Sequence, residues 1–213
     1  MILYYSPGAC SLVAHIALEE AEAKFTPSRV VLAEGAHRTA EYLKINPHAR
    51  VPALEVDGRI VTENVAILNY LALRFGAVGS VPLDVPLPAA RTNELLGWFA
   101  STVHIAFAQI WRPERFTADS EVYPAIVAGG HEALGGHFAE IEGFLGTGWA
   151  VDGHFTAADS YLLTFFRWGR RIDHDMSAYP LWAALTERIL DRPAVQRVLT
   201  TEELPAEAFL EAA

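Results

Sequence analysis

Residues 1–20, MILYYSPGACSLVAHIALEE, begin with a short apolar and aromatic run, continue through a Pro-Gly turn and end in a helical pattern. The apolar run covers residues 1–5, and from Ala9 onward apolar residues recur at helical spacing. The stretch therefore predicts a first β-strand followed at once by a first helix. The single cysteine of the chain, Cys10, falls at the start of that helix.

The sequence that follows adds three strands and two helices to this start. A β-branched run over 29–32 predicts a second strand, and 39–45 a second helix. ALEV-DG-RIVT (53–62) predicts a hairpin because Asp-Gly strongly favours a tight turn, and 63–76 predicts a helix that ends at a glycine. The order βαβαββα predicts a thioredoxin-like domain, an α/β fold with helices covering a mixed four-stranded sheet.

A linker over 77–88 separates this first domain, 1–76, from a second domain, 89–213. The linker is rich in proline and shows neither strand nor helix periodicity. Hairpin patterns are absent after it, and helical patterns predict an all-α domain. The predicted helices cover 89–111, 122–145, 156–171, 181–190 and 193–199.

The composition narrows the class of protein. With 213 residues, 52% hydrophobic and 20% charged, the chain can bury two modest cores. A net charge of -10, with 16 dispersed Lys and Arg, disfavours nucleic acid as a partner. We expect no export signal, membrane span or intramolecular disulfide, and therefore a cytoplasmic protein. The dispersed histidines predict no metal site.

Cys10 is the first candidate for chemistry. It is either a small buried hydrophobe or a reactive thiol, since the positive end of the first helix would stabilise a thiolate. Val13 stands where a C-x-x-C enzyme has its second thiol, so thiol exchange would need an outside thiol. Ser11 is either a first-turn polar residue or a hydroxyl donor to a bound sulfur.

Two loops carry groups suited to a peptide-like ligand. Val51-Pro52 precedes the hairpin, either as a simple loop or as an edge where the Val51 backbone pairs with an extended ligand. Glu63-Asn64 opens the next helix, either as a cap or as a site for charged ligand groups.

Four segments of the chain resemble the glutathione transferase family, most closely its bacterial beta class. PGACS is typical of that class, and VPAL and the E-N-x-AI segment mark the glutathione site of the family. The resemblance implies a cytosolic homodimer in detoxification, with glutathione as co-substrate in the first domain and a second-substrate pocket in the helical domain. The segments are YYSPGACSLVAHIAL (4–18), NPHARVPAL (46–54), TENVAILNYLA (62–72) and FTAADSYLL (155–163).

The resemblance also implies roles for the candidates in the first domain. Cys10 is the thiol next to the glutathione sulfur, able to form a mixed disulfide with it, and Ser11 is a neighbouring polar contact. Pro52 is the cis-proline of the family, and Val51 pairs with the cysteinyl part of glutathione. The Glu63-Asn64 pair holds the γ-glutamyl end.

His104 in the first C-terminal helix matches a histidine that beta-class enzymes direct at glutathione. Helical periodicity places Gly97, Ser101 and Ala108 on the same face as His104, which suits a site lining, and Ser101 is a predicted glutathione contact. Read without the resemblance, a lone histidine is structural or solvated more often than catalytic.

The remaining motifs concern folding and the pocket wall. Thr156 and Asp159 form a predicted capping box, assigned to folding. Trp111, Trp168 and Phe166 belong either to the core or to the wall of an apolar pocket.

The sequence departs from the beta class at three places. Ile105 and Gly97 stand where the class often has a lysine and an asparagine, and for the basic residue after the second strand only His37 and Arg38 lie nearby. We therefore expect either a transferase that conjugates glutathione to apolar electrophiles, with possible thiol-disulfide exchange through Cys10, or a non-catalytic binding protein on the same scaffold.

Overall fold

The N-terminal half folds around a four-stranded mixed sheet. The computed structural model describes residues 1–76, 79–146, 148–151 and 153–210. The strands stand in the order β2-β1-β3-β4, with β1 parallel to β2 and antiparallel to β3, and with β3 and β4 forming the predicted hairpin. The prediction of a thioredoxin-like domain is confirmed. The strands are β1 (Ile2–Tyr5), β2 (Thr26–Arg29), β3 (Ala53–Val56) and β4 (Arg59–Thr62).

The second strand lies three residues earlier than predicted. It pairs in parallel with β1 from Ile2 opposite Thr26 to Tyr5 opposite Arg29, so it ends where its partner ends. It is an edge strand, which tolerates Pro27 and polar residues. The β-branched run that follows does not extend the ladder because β1 offers no further partner.

Three helices complete the first domain, and α1 is its central element. Eight of the ten α1 residues are buried, because the helix packs against β1 and α3 in its own domain and against helices of the second domain. The sequence therefore lacks a polar face in this helix. The helices are α1 (Ser11–Glu20), α2 (Ala40–Ile45) and α3 (Asn64–Phe75).

The C-terminal half is helical, as predicted. Its first helix begins at Pro86, within the predicted linker, since proline is favoured in the first helical turn. Residues 77 and 78 of that linker lie outside the described residues, and we propose that the domain boundary falls between α3 and α4. The helices are α4 (Pro86–Trp98), α5 (His104–Trp111), α6 (Tyr123–Phe144), α7 (Ala157–Arg171), α8 (Pro180–Leu190), α9 (Pro193–Glu202) and α10 (Glu207–Leu210).

A π-helical segment, Phe99–Val103, interrupts the long helix predicted over 89–111. A π-turn inserts an extra residue and shifts the side chains that follow it to another face. This segment directly precedes His104, so it decides which residues of α5 face the first domain.

The most buried helix of the second domain, α7, begins with the predicted capping box. The Thr156 hydroxyl accepts a hydrogen bond from the backbone N–H of Ala158 at 3.3 Å, and the Asp159 carboxylate accepts the Thr156 N–H at 2.8 Å. The other carboxylate oxygen accepts the Ala150 N–H at 2.8 Å. The capping box therefore fixes the start of α7 and the preceding loop together.

Candidate functional site

A cleft of about 620 Å³ lies between the two domains. This volume falls in the range of small-molecule sites, about 300–1,000 Å³. One wall, which we call the thioredoxin wall, comes from the turn before α1, the loop before β3 and the start of α3. The other, the helical wall, comes from the π-segment, α5, the turn after α5, and α7.

Cys10 lies on the thioredoxin wall at the start of α1. Its thiol donates a hydrogen bond to the Val51 carbonyl oxygen at 3.3 Å. Burial raises the pKa of the Cys10 thiol to about 12, and the negative charge of Glu63 acts in the same direction. Burial therefore opposes the expected thiolate at the start of the helix, because desolvation favours the neutral thiol.

Ser11 is wholly buried and does not line the cleft. Its hydroxyl donates to the Ser6 carbonyl at 3.2 Å and accepts the Ser6 N–H at 3.1 Å. This contact closes the turn before α1, which favours the reading of Ser11 as a structural first-turn residue.

Val51 and Pro52 line the cleft beside Cys10, joined by a cis peptide bond. The Val51 carbonyl accepts the Cys10 thiol, while no described residue accepts a hydrogen bond from the Val51 N–H. The backbone thus offers the peptide-like edge that the sequence predicts for an extended ligand.

Glu63 and Asn64 also line the cleft. Glu63 has φ 66° and ψ 125°, an uncommon conformation for a residue other than glycine, and its side chain caps no helix. Asn64 donates to the Cys10 carbonyl at 2.8 Å and to the Tyr161 hydroxyl at 3.0 Å. Its buried Oδ1 has no partner among the described residues, so an acceptor remains for a ligand.

His104 lines the cleft from the start of α5, with its ring centroid 5.1 Å from that of the Trp168 ring. Burial lowers the pKa of His104 to about 4, and the charges of Arg115 and Arg50 add to the effect. The imidazole is therefore neutral at pH 7 and can donate one N–H.

The structure does not bring Ser101 into the cleft. Its exposed hydroxyl donates to the Gly97 carbonyl at 2.8 Å, whereas Ala100, His104 and Ala108 line the cavity. The π-segment shifts the register between these residues, so the face predicted from regular helical periodicity is wrong for Ser101 and Gly97.

The three candidate aromatic residues divide between wall and core. Trp111 and Trp168 line the cleft with ring centroids 5.1 Å apart, while Phe166 packs against Trp182 in the core. The Trp111 ring is partly exposed, with Ile105 nearby on the same wall. The helical wall therefore offers an apolar surface.

Gly8, which sequence reasoning missed, joins the two domains at the site. Its N–H donates to the buried Glu202 carboxylate at 2.8 Å, and its carbonyl accepts the Trp168 indole N–H at 2.8 Å. A Cβ on Gly8 would lie 2.5 Å from the Arg167 guanidinium, and φ is +65°, a backbone conformation that favours glycine. Two helices of the second domain thus hold the turn that carries Cys10.

Four arginines in the cleft were also missed: Arg50, Arg112, Arg115 and Arg171. Arg50 and Arg171 are far from the other two in sequence, whereas Arg112 and Arg115 are only three residues apart. The segment WRPER (111–115), directly after a helix, was the local pattern that could have indicated them.

Fold and cleft together define a two-domain protein of the thioredoxin-like class. The chain matches two family models, the glutathione S-transferase N-terminal domain over residues 1–73 and the C-terminal domain over 106–193. It is 33% identical to the glutathione S-transferase GstA of Escherichia coli O157:H7, a match that covers 96% of this chain and 100% of the relative. The chain belongs to the glutathione S-transferase family, which confirms the resemblance seen in the sequence.

Solved structures agree with this assignment. A glutathione transferase homologue from Sulfitobacter with bound glutathione has a TM-score of 0.89 at 30% identity, covering 95% of this chain and 98% of that chain. The bacterial beta class glutathione S-transferase of Sphingomonas chungbukensis has a TM-score of 0.82 at 34% identity, covering 96% and 100%. The likeness supports the predicted beta class.

The described residues contain neither a candidate metal site nor a candidate membrane span. Within them, no group of three or more histidine, cysteine, aspartate or glutamate side chains could hold a metal ion. None of the helices in these ranges is long and apolar enough to cross a membrane.

Proposed function

We propose that the protein is a glutathione transferase that conjugates reduced glutathione to electrophiles in the cleft between its domains. The observation that carries this proposal is that one cleft combines a free peptide-like edge at Val51, a protonated thiol at Cys10 and a neutral imidazole at His104. The relatives named above, one of them with bound glutathione, support it.

Glutathione lies along the thioredoxin wall in this proposal. Its cysteinyl amide pairs with the Val51 backbone, as in an added strand. Its ammonium group binds the Glu63 carboxylate and the free Asn64 Oδ1, and Arg50 binds the glycyl carboxylate. These contacts direct the glutathione sulfur towards Cys10 and His104.

The reaction needs the thiolate form of glutathione at neutral pH, whereas a free thiol has a pKa of about 8.5. Hydrogen bonds to the anion and nearby positive charge lower that pKa. The His104 N–H and the Cys10 thiol, which turns from the Val51 carbonyl oxygen to the bound sulfur, are the donors, and Arg50 provides the charge. The sulfur then bonds to the electrophilic carbon, the leaving group takes the bonding electrons, and the thiol proton passes to solvent.

The burial of the Cys10 thiol also bears on which of two reactions, conjugation or thiol-disulfide exchange, is the main activity. Thiol-disulfide exchange requires the Cys10 thiolate, which burial disfavours. Conjugation requires only that Cys10 donate a hydrogen bond. We therefore propose conjugation as the main activity and exchange through Cys10 as the minor one.

The proposal includes a homodimer, in the cytoplasm, that takes part in detoxification. The support for a dimer is a group of exposed apolar side chains on α3, on α4 and between them, where a monomer would leave them in water. The most exposed are Leu73 and Leu87, at 79% each, and the others are Phe75, Leu83 and Val85. Light scattering of Leu73→Ser and Leu87→Ser variants tests this arrangement: the mass should halve.

The experiment that tests the main proposal is a calorimetric titration with reduced glutathione, followed by a conjugation assay with 1-chloro-2,4-dinitrobenzene. A dissociation constant between about 1 μM and 1 mM, about -8 to -4 kcal/mol, and saturable turnover are expected. Binding without turnover would instead favour the non-catalytic binding protein. Neither binding nor turnover would overturn both.

A further inference from the structure

The cleft has a charge opposite to that of the whole protein. The chain carries 26 Asp and Glu against 16 Lys and Arg. Yet four arginines line the cleft, with Glu63 as the single carboxylate among its lining residues, and burial lowers the pKa of His37 and His104 so that neither adds charge at pH 7. Positive potential is therefore concentrated in the cleft of an acidic protein.

These arginines form no ion pair with a carboxylate among the residues that the structure describes. Other arginines form ion pairs, such as Arg192 with Glu20 at 2.6 Å and Arg197 with Glu19 at 2.7 Å. Within the described residues, no carboxylate lies within 4.0 Å of the arginine nitrogens that line the cleft. The arginine side chains of the cleft are therefore available to an anionic ligand.

Three of the four arginines belong to the helical wall. Arg112 and Arg115 lie in the turn after α5, and Arg171 ends α7 with its guanidinium 5.7 Å from the Trp111 ring. Arg50, Arg112 and Arg115 line the same cleft, and burial together with the positive charges of Arg50 and Arg112 lowers the pKa of Arg115. Like charges kept this close favour an anion between them.

Glutathione does not account for all of this charge. It has two carboxylates and one ammonium group, and the thioredoxin wall offers Arg50, Asn64 and Glu63 to them. Arg112, Arg115 and Arg171 remain on the opposite wall, beside the exposed face of Trp111.

We propose that the second substrate is an electrophile with an anionic group, a carboxylate or sulfonate, on an apolar or aromatic body. The body packs against Trp111 and Ile105, and the anionic group binds Arg112, Arg115 and Arg171. This substrate class rests on the proposed transferase function, and it narrows the expectation of a purely apolar electrophile.

The test compares 4-chloro-3-nitrobenzoate with its methyl ester, which has the same reacting carbon but no charge. In both, the glutathione sulfur bonds to the carbon that carries chlorine, chloride leaves with the bonding electrons, and the thiol proton goes to buffer. Each kcat/KM is divided by the rate constant of the uncatalysed reaction with glutathione. We expect this ratio to favour the benzoate about tenfold, and to decline towards parity at high ionic strength.

Single arginine variants test which residues cause the preference for the benzoate over its methyl ester. Arg115→Gln and Arg112→Gln should each lower kcat/KM for the benzoate about tenfold, the size of one charge-assisted contact, and leave that for the ester unchanged. Arg59→Gln, on the exposed side of β4 and outside the cleft, is the matched control and should change neither. Equal ratios for benzoate and ester, unaltered by the variants, would overturn the inference while the transferase function stands.

A binding measurement separates the inference from the reaction. Protein saturated with S-methylglutathione, which occupies the thioredoxin wall but cannot react, is titrated with 3-nitrobenzoate and with its methyl ester. Tighter binding of the benzoate that is lost in Arg115→Gln supports the anion site even if no conjugation occurs. Equal binding of the two compounds would overturn it.

Discussion

The two walls of the cleft are built in different ways. The thioredoxin wall presents backbone groups and short side chains with fixed partners, such as the Cys10 thiol at 3.3 Å from the Val51 carbonyl and the Asn64 amide at 2.8 Å from the Cys10 carbonyl. The helical wall presents long arginine side chains and tryptophan faces. Fixed backbone geometry suits one constant ligand, whereas cations and aromatic faces suit a range of second substrates.

Hydrogen bonds nevertheless connect the two walls. Glu202 and Trp168 hold the peptide groups of Gly8, and the Asn64 amide joins the Cys10 turn to Tyr161 of α7. A change in the helical domain can therefore act on the glutathione site without touching glutathione.

The largest effect on stability is expected from a substitution at the start of α7, the helix that supports the helical wall. Asp159→Ala deletes a buried carboxylate that accepts three hydrogen bonds, two from backbone N–H groups and one from the Thr156 hydroxyl. We expect the free energy of unfolding to decrease by about 2–5 kcal/mol, measured by urea titration. Asp119→Ala removes an exposed cap of a short 3₁₀ turn and should have little effect. Equal losses in both variants would contradict the role of the α7 cap.

The second-largest effect is expected from weakening the hydrogen bonds that connect the two walls. Glu202→Gln keeps the shape of the side chain but disturbs the contacts to Gly8 and to His15, each at 2.8 Å. We expect a loss of about 1–3 kcal/mol in unfolding free energy, with kcat/KM lowered equally for charged and neutral electrophiles. Glu203→Gln, next in sequence and exposed, is the control. A loss confined to the anionic electrophile would argue that Glu202 acts on the helical wall alone.

Measurements on His104 distinguish proton transfer by a charged imidazole from a hydrogen bond donated by a neutral one. Because the folded pKa of about 4 lies below the usual 6.5, the ring is neutral above pH 5, and the pH profile of conjugation should show no histidine step between pH 5 and 8. His104→Ala should lower kcat/KM about tenfold and raise the pKa of bound glutathione, followed by thiolate absorbance at 240 nm. A wild-type step near pH 6.5 that the variant lacks would show a charged imidazole.

The same shift predicts that the stability of the protein depends on pH. The unfolded chain binds a proton at His104 between pH 6.5 and about 4, whereas the folded chain does not. The contribution of His104 to stability is therefore full above pH 6.5 and is lost as the pH falls towards 4. Urea titrations at pH 7 and pH 5 of wild type and His104→Gln measure it: the variant should lose less stability on acidification.

Cys10 is expected to give the smallest effect on conjugation. Since burial keeps its thiol protonated, Cys10→Ala removes one weak hydrogen-bond donor, and kcat/KM should change by less than about tenfold. Any reduction of glutathione mixed disulfides should be abolished in the same variant. Conjugation lost together with exchange would show that Cys10 reacts in both.

Much of the thioredoxin wall could be predicted because it is built from three short motifs, each contiguous in sequence. The turn before Cys10, the Val51-Pro52 loop and the Glu63-Asn64 pair are short motifs, and the structure brings all three to one cleft. The helical wall was predicted less well. His104 lies in the cleft as expected, but Ser101 does not, since the π-segment alters the periodicity on which that prediction depended.

The sequence by itself determined the family and the order of most helices and strands, because turns, caps and hydrophobic periodicity are local. Asp57-Gly58 makes the hairpin, and Thr156 with Asp159 begins α7, whatever packs around them. Only the tertiary structure decided that the Cys10 thiol is buried and its pKa raised, and that Glu202 accepts the Gly8 N–H. It also decided that four arginines line one cleft. Burial and charge proximity depend on how distant segments pack, and no local pattern encodes them.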